Sequence, residues 1–291
     1  MKLTILIILQ FFILDMFSQK IIVLDKNSNK PIQYATISYY KNQQLIFSSY
    51  SDELGSIILD SQIQNSTFTF SCTGYQLIEY KIIKEVDTIF LEQHVEMLPE
   101  IFIGKTNFTT VGCVKCKKKI TLSAFSGFEM CTYIENNTGI NKNIKSVLLK
   151  AKIGRSLKSA VRLHFYKIEK NKKMPGSEII TNNIVRFFNS KTNDIIKIDV
   201  SEENLVLPAD GYFIGIEWIE IVSQQNKMSK STKGVQIEMN DDFNELNTYL
   251  RNRLKNSDWQ NTLKLKTDSN NSGLTNFKNY PNLSIGLEVF K

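Results

Sequence analysis

The stretch AVRLHFYKI at residues 160–168 alternates apolar and polar side chains and is rich in β-branched and aromatic residues. A period of two is typical of a β-strand whose two faces meet different surroundings. One predicted face carries three apolar side chains, Val161, Leu163 and Phe165. The opposite face carries three polar side chains, Arg162, His164 and Tyr166. This stretch therefore predicts a sheet and gathers candidate functional groups on one side of it.

The same alternation recurs along most of the chain. Further examples lie at residues 32–40, 147–153, 211–219 and 283–290. Short strands separated by turn residues are typical of β-sandwiches, and the 42% apolar content over 291 residues is enough for a sizeable core. We therefore predict an all-β protein with two domains. Residues 241–254 are the exception, because their leucines at helical spacing follow acidic residues and predict a short helix.

The N-terminus has the pattern of a secretory signal peptide, which we assign to residues 1–19. Lys2 precedes an apolar run at residues 3–14 that is too short to span a bilayer, and Ser18 is small enough for a peptidase site. The alternative is a buried N-terminal strand. The signal predicts an exported protein, in the periplasm or at the cell surface in association with the outer membrane, with no transmembrane segment after cleavage.

Residues 20–104 carry short motifs in an informative order. They are IVLD at 22–25, KPI at 30–32, ATI at 35–37, SDELG at 51–55, GY at 74–75 and DTIFL at 87–91. In order and spacing these motifs resemble the carboxypeptidase regulatory-like domain, a transthyretin-like β-sandwich common in exported Bacteroidetes proteins. The resemblance implies a non-catalytic accessory sandwich and not a peptidase.

Residues 121–291 are predicted to form a second, jelly-roll-like β-sandwich. Its phrases at 162–166, 174–176, 198–200 and 211–218 resemble the second half of uncharacterised exported Bacteroidetes proteins with the same N-terminal module. That resemblance implies an architecture and no activity. We assign residues 105–120, which are rich in cysteine and lysine, to a linker between the two domains.

The chain has four cysteines: Cys72, Cys113, Cys116 and Cys131. An even number in an exported chain predicts disulfides, so all four are disulfide candidates. The CxxC pair at 113–116 is also half of a zinc site or a redox motif, but a second CxxC and the surroundings of a thioredoxin fold are both missing. Cys72 has a further alternative as a small buried side chain on an alternating strand. We predict no metal and no cofactor.

The candidate ligand-binding residues are the polar side chains of one strand face: Arg162, His164 and Tyr166. They could converge on a ligand, and the alternative is a solvated face. Glu217 and Glu220 bracket Trp218, and a glycosidase uses paired carboxylates together with an aromatic platform, but acids that point outward from a strand are the simpler interpretation. Two histidines in different domains are too few for a metal centre or a triad, so we predict no catalytic residue.

These observations predict an exported, non-catalytic binding or assembly protein of a cell envelope, with a glycan or an envelope protein as its partner. The formal net charge of +7 is spread along the chain without a nucleic-acid-binding fingerprint, so we expect no nucleic-acid partner. One alternative is a secreted carbohydrate-active or peptide-processing enzyme with its site on the second domain. Another is a passive structural component of the envelope.

Overall fold

The computed structural model describes residues 18–60, 67–81, 87–94, 107–117, 120–152, 157–169, 172–179, 181–188, 193–223, 235–240, 242, 245–262 and 281–291. These residues are mostly β-strands, which confirms the predicted all-β fold. They belong to two compact units, Met1–Val95 and Glu96–Lys291. Within the described ranges, no helix has the length and apolar character needed to cross a membrane. Most of the predicted signal peptide, residues 1–17, lies outside the described residues, and Ser18 begins the first strand.

The described part of the first unit contains seven strands in two sheets. They are β1 (Ser18–Asp25), β2 (Thr36–Lys41), β3 (Gln44–Tyr50), β4 (Ser56–Asp60), β5 (Thr67–Ser71), β6 (Ile78–Tyr80) and β7 (Thr88–Leu91). One sheet has the order β4-β1-β7, in which β1 is antiparallel to β4 and parallel to β7. The other sheet is antiparallel with the order β3-β2-β5-β6. Alternate residues of both sheets, among them Val23, Ile37, Phe70 and Ile89, are fully buried in one core.

Asp25, at the end of β1, forms hydrogen bonds with three separate segments of the first unit. Its Oδ1 accepts hydrogen bonds from the backbone N–H groups of Asn27 and Ser28, at 3.0 and 2.7 Å, and from the Ser28 hydroxyl. Its Oδ2 accepts from the Tyr75 hydroxyl at 3.0 Å and from Gln93 Nε2 at 2.8 Å. Burial alone would raise the pKa of Asp25, but the hydrogen bonds from Ser28 and Tyr75 outweigh it and lower the pKa to about 2.

Replacing Asp25 with Asn should destabilise the first unit by about 1–3 kcal/mol. One carboxylate oxygen becomes an N–H₂ group, which cannot accept the hydrogen bonds that this oxygen receives. Hydrogen exchange in peptides that span β1 and β7 should speed up. In the unchanged protein, the contribution of Asp25 is present above its ordinary pKa of 3.8 and is lost as the pH falls toward 2. Asp87→Asn, at an exposed position beside β7, is the control. Equal exchange rates in the two variants would contradict the role of Asp25.

The second unit contains fifteen described strands and one short 3₁₀ helix at Ser201–Glu203. The strands are β8 (Phe108–Gly112), β9 (Ile120–Leu122), β10 (Phe128–Ile134), β11 (Lys142–Lys152), β12 (Leu157–Ile168), β13 (Pro175–Glu178), β14 (Val185–Phe188), β15 (Asn193–Asp199), β16 (Val206–Leu207), β17 (Tyr212–Ser223), β18 (Gln236–Asn240), β19 (Thr248–Asn252), β20 (Gln260–Asn261), β21 (Asn282–Leu283) and β22 (Ile285–Phe290).

These strands form two antiparallel sheets around one core. One sheet follows the order β13-β12-β17-β10-β19-β20, with β14 also paired to β12. The other follows β21-β18-β11-β22-β8, with β15 and β16 paired to β11 and β9 paired to β18. Leu163 and Trp218 of the first sheet and Leu149 and Leu287 of the second are fully buried in the shared core. Trp218 also donates a hydrogen bond from Nε1 to the Val235 carbonyl at 2.8 Å.

Two segments differ from their sequence-based assignment. Within the predicted linker at 105–120, β8 pairs with β22 over five residues, so this part of the chain completes a sheet of the second unit. Residues Thr248–Asn252, inside the predicted helix, form strand β19 and pair with β10. The leucine spacing suggested a helix, but the alternation of Tyr249, Leu250 and Arg251 gives the strand its two faces, with only Leu250 in the main core.

The structure joins Cys113 and Cys116 in a disulfide and leaves Cys72 and Cys131 as buried thiols. The disulfide prediction is therefore wrong for Cys72 and Cys131. Cys72 packs in the core of the first unit, whereas Cys131 packs against Tyr166 and Phe213 in the second. Each acts as a small apolar side chain, the alternative that the sequence left open for Cys72. Burial raises the pKa of the Cys131 thiol well above its ordinary value, which disfavours the reactive thiolate.

Candidate functional site

Strands β10, β12, β13, β17 and β19, with the residue after β19, carry a cluster of charged and polar side chains on the face that points away from the main core. We call it the polar cluster, and it consists of Glu129, Arg162, His164, Tyr166, Glu178, Glu217, Arg251 and Arg253. Strand register brings these residues together, because Arg162 of β12 lies opposite Glu217 of β17 and Glu129 of β10 lies opposite Arg251 of β19.

His164 lies between two carboxylates at one end of the cluster. Its Nδ1 is 2.5 Å from Glu178 Oε1, and its Nε2 is 2.9 Å from Glu217 Oε2. Arg162 Nη1 donates to the same Glu217 oxygen at 3.2 Å, and Arg162 Nε donates to Asn183 Oδ1 at 2.8 Å. Since both neighbours of the ring are carboxylates, His164 can satisfy them together only as an imidazolium that donates from both nitrogens.

Glu129 and Tyr166 form the other end of the cluster. The Tyr166 hydroxyl donates to Glu129 Oε1 at 2.6 Å, and Arg251 Nε donates to Glu129 Oε2 at 2.8 Å. Arg253 joins the two ends, because its Nη1 lies 2.9 Å from the Tyr166 hydroxyl and 3.2 Å from Glu178 Oε2. Each carboxylate is thus held by at least one cation and one further donor, which is what burial of charge requires.

The sequence predicts that Arg162, His164 and Tyr166 share a face, and the structure brings them together there. It does not leave them open to a ligand, since each is at most 1% exposed. Glu217, which the sequence interpretation placed at the surface, is fully buried as well. The expectation of a solvated face is therefore wrong, because the long side chains of the neighbouring strands lie across it.

Trp259 covers part of this face. The Arg251 guanidinium carbon lies 4.2 Å from the centre of the Trp259 ring, and the Trp259 and Tyr166 rings meet edge to face at 5.4 Å. A cation stacked on an indole ring is a favourable arrangement. Trp259 thus contacts the polar cluster of its own chain. The side chain of Glu220, the second of the two carboxylates that the sequence singled out, lies outside the described part of the structure.

Gly215 makes room for the Glu129 carboxylate. A Cβ atom at this position would lie 2.4 Å from Glu129 Oε1 and 3.1 Å from both His164 Cβ and the Tyr166 ring. Any side chain larger than hydrogen would therefore push Glu129 away from Tyr166 and Arg251. The glycine in the GIEW sequence is therefore required for the observed position of the Glu129 carboxylate.

Sequence reasoning missed Glu129, Glu178, Arg251 and Arg253 as members of the polar cluster. One usable signal was strand β17, where residues 212–219 are almost continuously apolar, which is typical of a strand buried on both faces. A single glutamate in such a run has to be buried and paired, so Glu217 itself called for cationic partners. The identity of those partners depends on strand order and is not local in the sequence.

The charges of the cluster shift the pKa values of its members. Burial and the positive charge of Arg253 lower the pKa of His164, but Glu178 and Glu129 outweigh them and raise it above its ordinary value. Burial raises the pKa of Glu178, but His164 and Arg253 outweigh it and lower the pKa to about 2. The pKa of Glu217 is lowered in the same way, against burial, by Arg162 and His164. The pair of Glu178 and Glu217 therefore stays ionised around a protonated His164.

A pocket of about 440 Å³ lies elsewhere in the second unit, where β8, β10 and β22 meet the segment before β19. Ile134, Leu283 and Ile285 give it an apolar floor, and Glu135, Lys173 and Glu245 stand among its exposed lining residues. Cys113 of the disulfide forms part of one wall. This opening is separate from the polar cluster, since none of the eight cluster residues lines it.

One set of residues has metal-ligand spacing in the described part of the chain. Cys113, Cys116 and Asp242 place one ligand atom each within 4.8 Å of one another. Their sulfur atoms are joined in the disulfide, however, and only thiolate sulfur binds a metal strongly. In this oxidised form the three residues do not make a metal site.

Comparisons with known proteins leave the family open. No protein-family model matches the chain, and no curated protein matches it. Among solved structures, it is similar to the cysteine protease and lectin-like domains of Cwp84, a surface layer associated protein of Clostridium difficile, at 8% identity and a TM-score of 0.37, covering 94% of this chain and 63% of that one. A DUF3823 family protein from Parabacteroides merdae matches at 11% identity and a TM-score of 0.21, over 71% of this chain and 100% of that one. At these scores the likenesses assign neither a fold family nor a function.

The stability of the second unit should be highest between about pH 4.5 and 6.5. His164 has a raised pKa, so its contribution is complete below its ordinary value of 6.5 and is lost as the pH rises through the folded value. Glu178 has a lowered pKa, so its contribution is complete above 4.5 and is lost as the pH falls toward 2. The fluorescence of the two tryptophans, both in this unit, reports its urea midpoint at each pH.

The variant His164→Gln should remove the decline in stability above pH 6.5 (the alkaline limb). It should keep the decline in stability below pH 4.5 (the acid limb). The exposed His94, the second of the two histidines, provides the matched control, and His94→Gln should leave both limbs unchanged. An alkaline decline of the same size in His164→Gln would show that another group causes it.

Proposed function

We propose that the protein is an exported, non-catalytic binding or assembly protein of a cell envelope, and that its second unit holds the binding site. One observation carries the non-catalytic part. The polar cluster contains the side chains that a hydrolase would use, but His164 and Glu217 are fully buried and both nitrogens of His164 contact the protein's own carboxylates. A general acid or base must come within hydrogen-bond distance of a substrate atom. Both nitrogens of His164 are already occupied by Glu178 and Glu217.

Export is supported by the disulfide between Cys113 and Cys116, because disulfides persist in oxidising compartments and are rare in a reducing cytosol. Binding is supported by the pocket, whose volume lies in the usual range for small-ligand sites. The resemblance of residues 20–104 to the carboxypeptidase regulatory-like domain fits an accessory module in such a protein. The alternative, a secreted enzyme, is supported by the close contacts of Arg162 and His164 with two carboxylates in one cluster.

A hydrolysis screen with the full chain separates these two functions. We expect no release of product from polysaccharides or peptides above the rate seen with Glu217→Gln. Tryptophan fluorescence should first establish that the variant remains folded, since replacing one partner of a buried ion pair is costly. Hydrolysis by the unchanged protein that is abolished in a folded Glu217→Gln or His164→Gln variant would establish the enzyme instead.

Export is testable by intact mass. The protein purified from its native envelope should lack about the first eighteen residues, as expected for signal-peptide cleavage, and alkylation before reduction should leave Cys113 and Cys116 unmodified. Reduction followed by alkylation should then add two labels at these positions. An uncleaved chain with both thiols free would refute export.

A further inference from the structure

The pocket of the second unit combines an apolar floor with a charged rim. Ile134, Leu283 and Ile285, at the floor, are each at most 3% exposed. Glu135 and Glu245 supply two carboxylates at exposed positions, and Lys173 supplies one ammonium group. The lining is therefore acidic on balance, although the whole chain carries a formal net charge of +7. Such a local reversal of sign favours a cationic ligand.

The ammonium group of Lys173 already occupies the position that such a cation would take. Its Nζ lies 2.6 Å from Glu245 Oε2 and 4.7 Å from the centre of the Tyr133 ring. A carboxylate together with an aromatic face is a typical recognition site for an ammonium group. The side chains of Lys173 and Glu245 are 46% and 70% exposed, and exposed ion pairs contribute little to stability. Another ammonium group can therefore replace Lys173 without unfolding the unit.

The apolar floor favours a cation with an apolar stem. A lysine side chain has a four-carbon apolar stem that packs on aliphatic groups while its charged end remains at a polar rim. An amino sugar is the competing ligand, since Asn137, Asn247 and Asn282 of the lining could hydrogen-bond its hydroxyl groups, and the experiment below distinguishes the two. The pocket also exceeds the size of one lysine side chain, which leaves space for the flanking peptide backbone.

We propose that this pocket binds a lysine side chain presented by a protein partner, with Glu245 and Glu135 holding the ammonium group and Lys173 acting as an internal competitor. The proposal rests on the proposed binding function and narrows its partner to a protein with an exposed lysine.

The test is a titration of the ¹⁵N-labelled full chain with the peptide acetyl-Gly-Lys-Gly-amide. Amide signals of Tyr133, Lys173 and Asn247, which line the pocket, should shift. The matched peptide with norleucine in place of lysine keeps the stem and loses the charge, so it should bind about tenfold more weakly because the charge-assisted hydrogen bond is gone. The arginine peptide should bind more weakly than the lysine peptide, because Lys173 shows that the site fits a compact ammonium group.

Three variants identify the groups responsible. Lys173→Ala removes the competitor and should tighten binding of the lysine peptide a few-fold. The double variant Glu135→Gln with Glu245→Gln keeps the shape and removes the negative charge, so it should abolish the shifts. Glu202→Gln, at an exposed position in the 3₁₀ helix and outside the pocket, is the control and should bind as the unchanged protein does.

Several outcomes would overturn the proposal. Equal binding of the norleucine peptide would mean that charge plays no part. Preferential binding of acetyl-Gly-Glu-Gly-amide, lost in Lys173→Ala, would make Lys173 the anchor for an anion. Binding of glucosamine at the pocket without the lysine peptide would assign the site to a glycan. If the amide signals of the pocket never shift while the chain binds a glycan array, the lysine-site proposal is refuted and the proposed binding function remains. If nothing binds in either experiment, both proposals fail.

Discussion

Glu217 imposes the constraint on which the second unit depends. A carboxylate in the middle of a strand that is buried on both faces loses its hydration and must recover it from cations and donors in the protein. Arg162 and His164 of the neighbouring strand supply these contacts to one oxygen of the group. Each of them in turn needs a further partner, which brings in Asn183 and Glu178. The partners required by the buried Glu217 carboxylate, together with the partners that these groups require in turn, account for half of the polar cluster.

The cluster also fixes which strands can be neighbours. Arg162 meets Glu217 only if β12 lies beside β17, and Glu129 meets Arg251 only if β19 lies beside β10 in the observed register. A shift of one residue would turn the charges toward the apolar core and the apolar residues toward the cluster. Because leaving a buried charge unpaired is costly, these pairs disfavour other registers in addition to the main core. Their energetic role is specificity of pairing.

The charged groups of the polar cluster are saturated by contacts within the cluster. Side chains that carry catalysis in many enzymes are here used up by contacts with each other, beneath Trp259. At the pocket beside Cys113, in contrast, Lys173 and Glu245 are exposed and form an ion pair at the surface. In the first unit, Asp25 has a comparable organising role, since one carboxylate collects donors from the turn after β1 and from Tyr75 and Gln93.

The sequence by itself determined the all-β fold, because a period of two in apolar residues is a local property of each strand. It also placed Arg162, His164 and Tyr166 on one face, since residues two apart on a strand always share one. Only the tertiary structure decided what buries this face, because its cover comes from Arg251, Arg253 and Trp259, about ninety residues further along the chain. Only the tertiary structure showed that residues 248–252 are a strand and that the disulfide lies within the CxxC motif. Each of these facts depends on which distant segments become neighbours, and a local pattern carries no record of that.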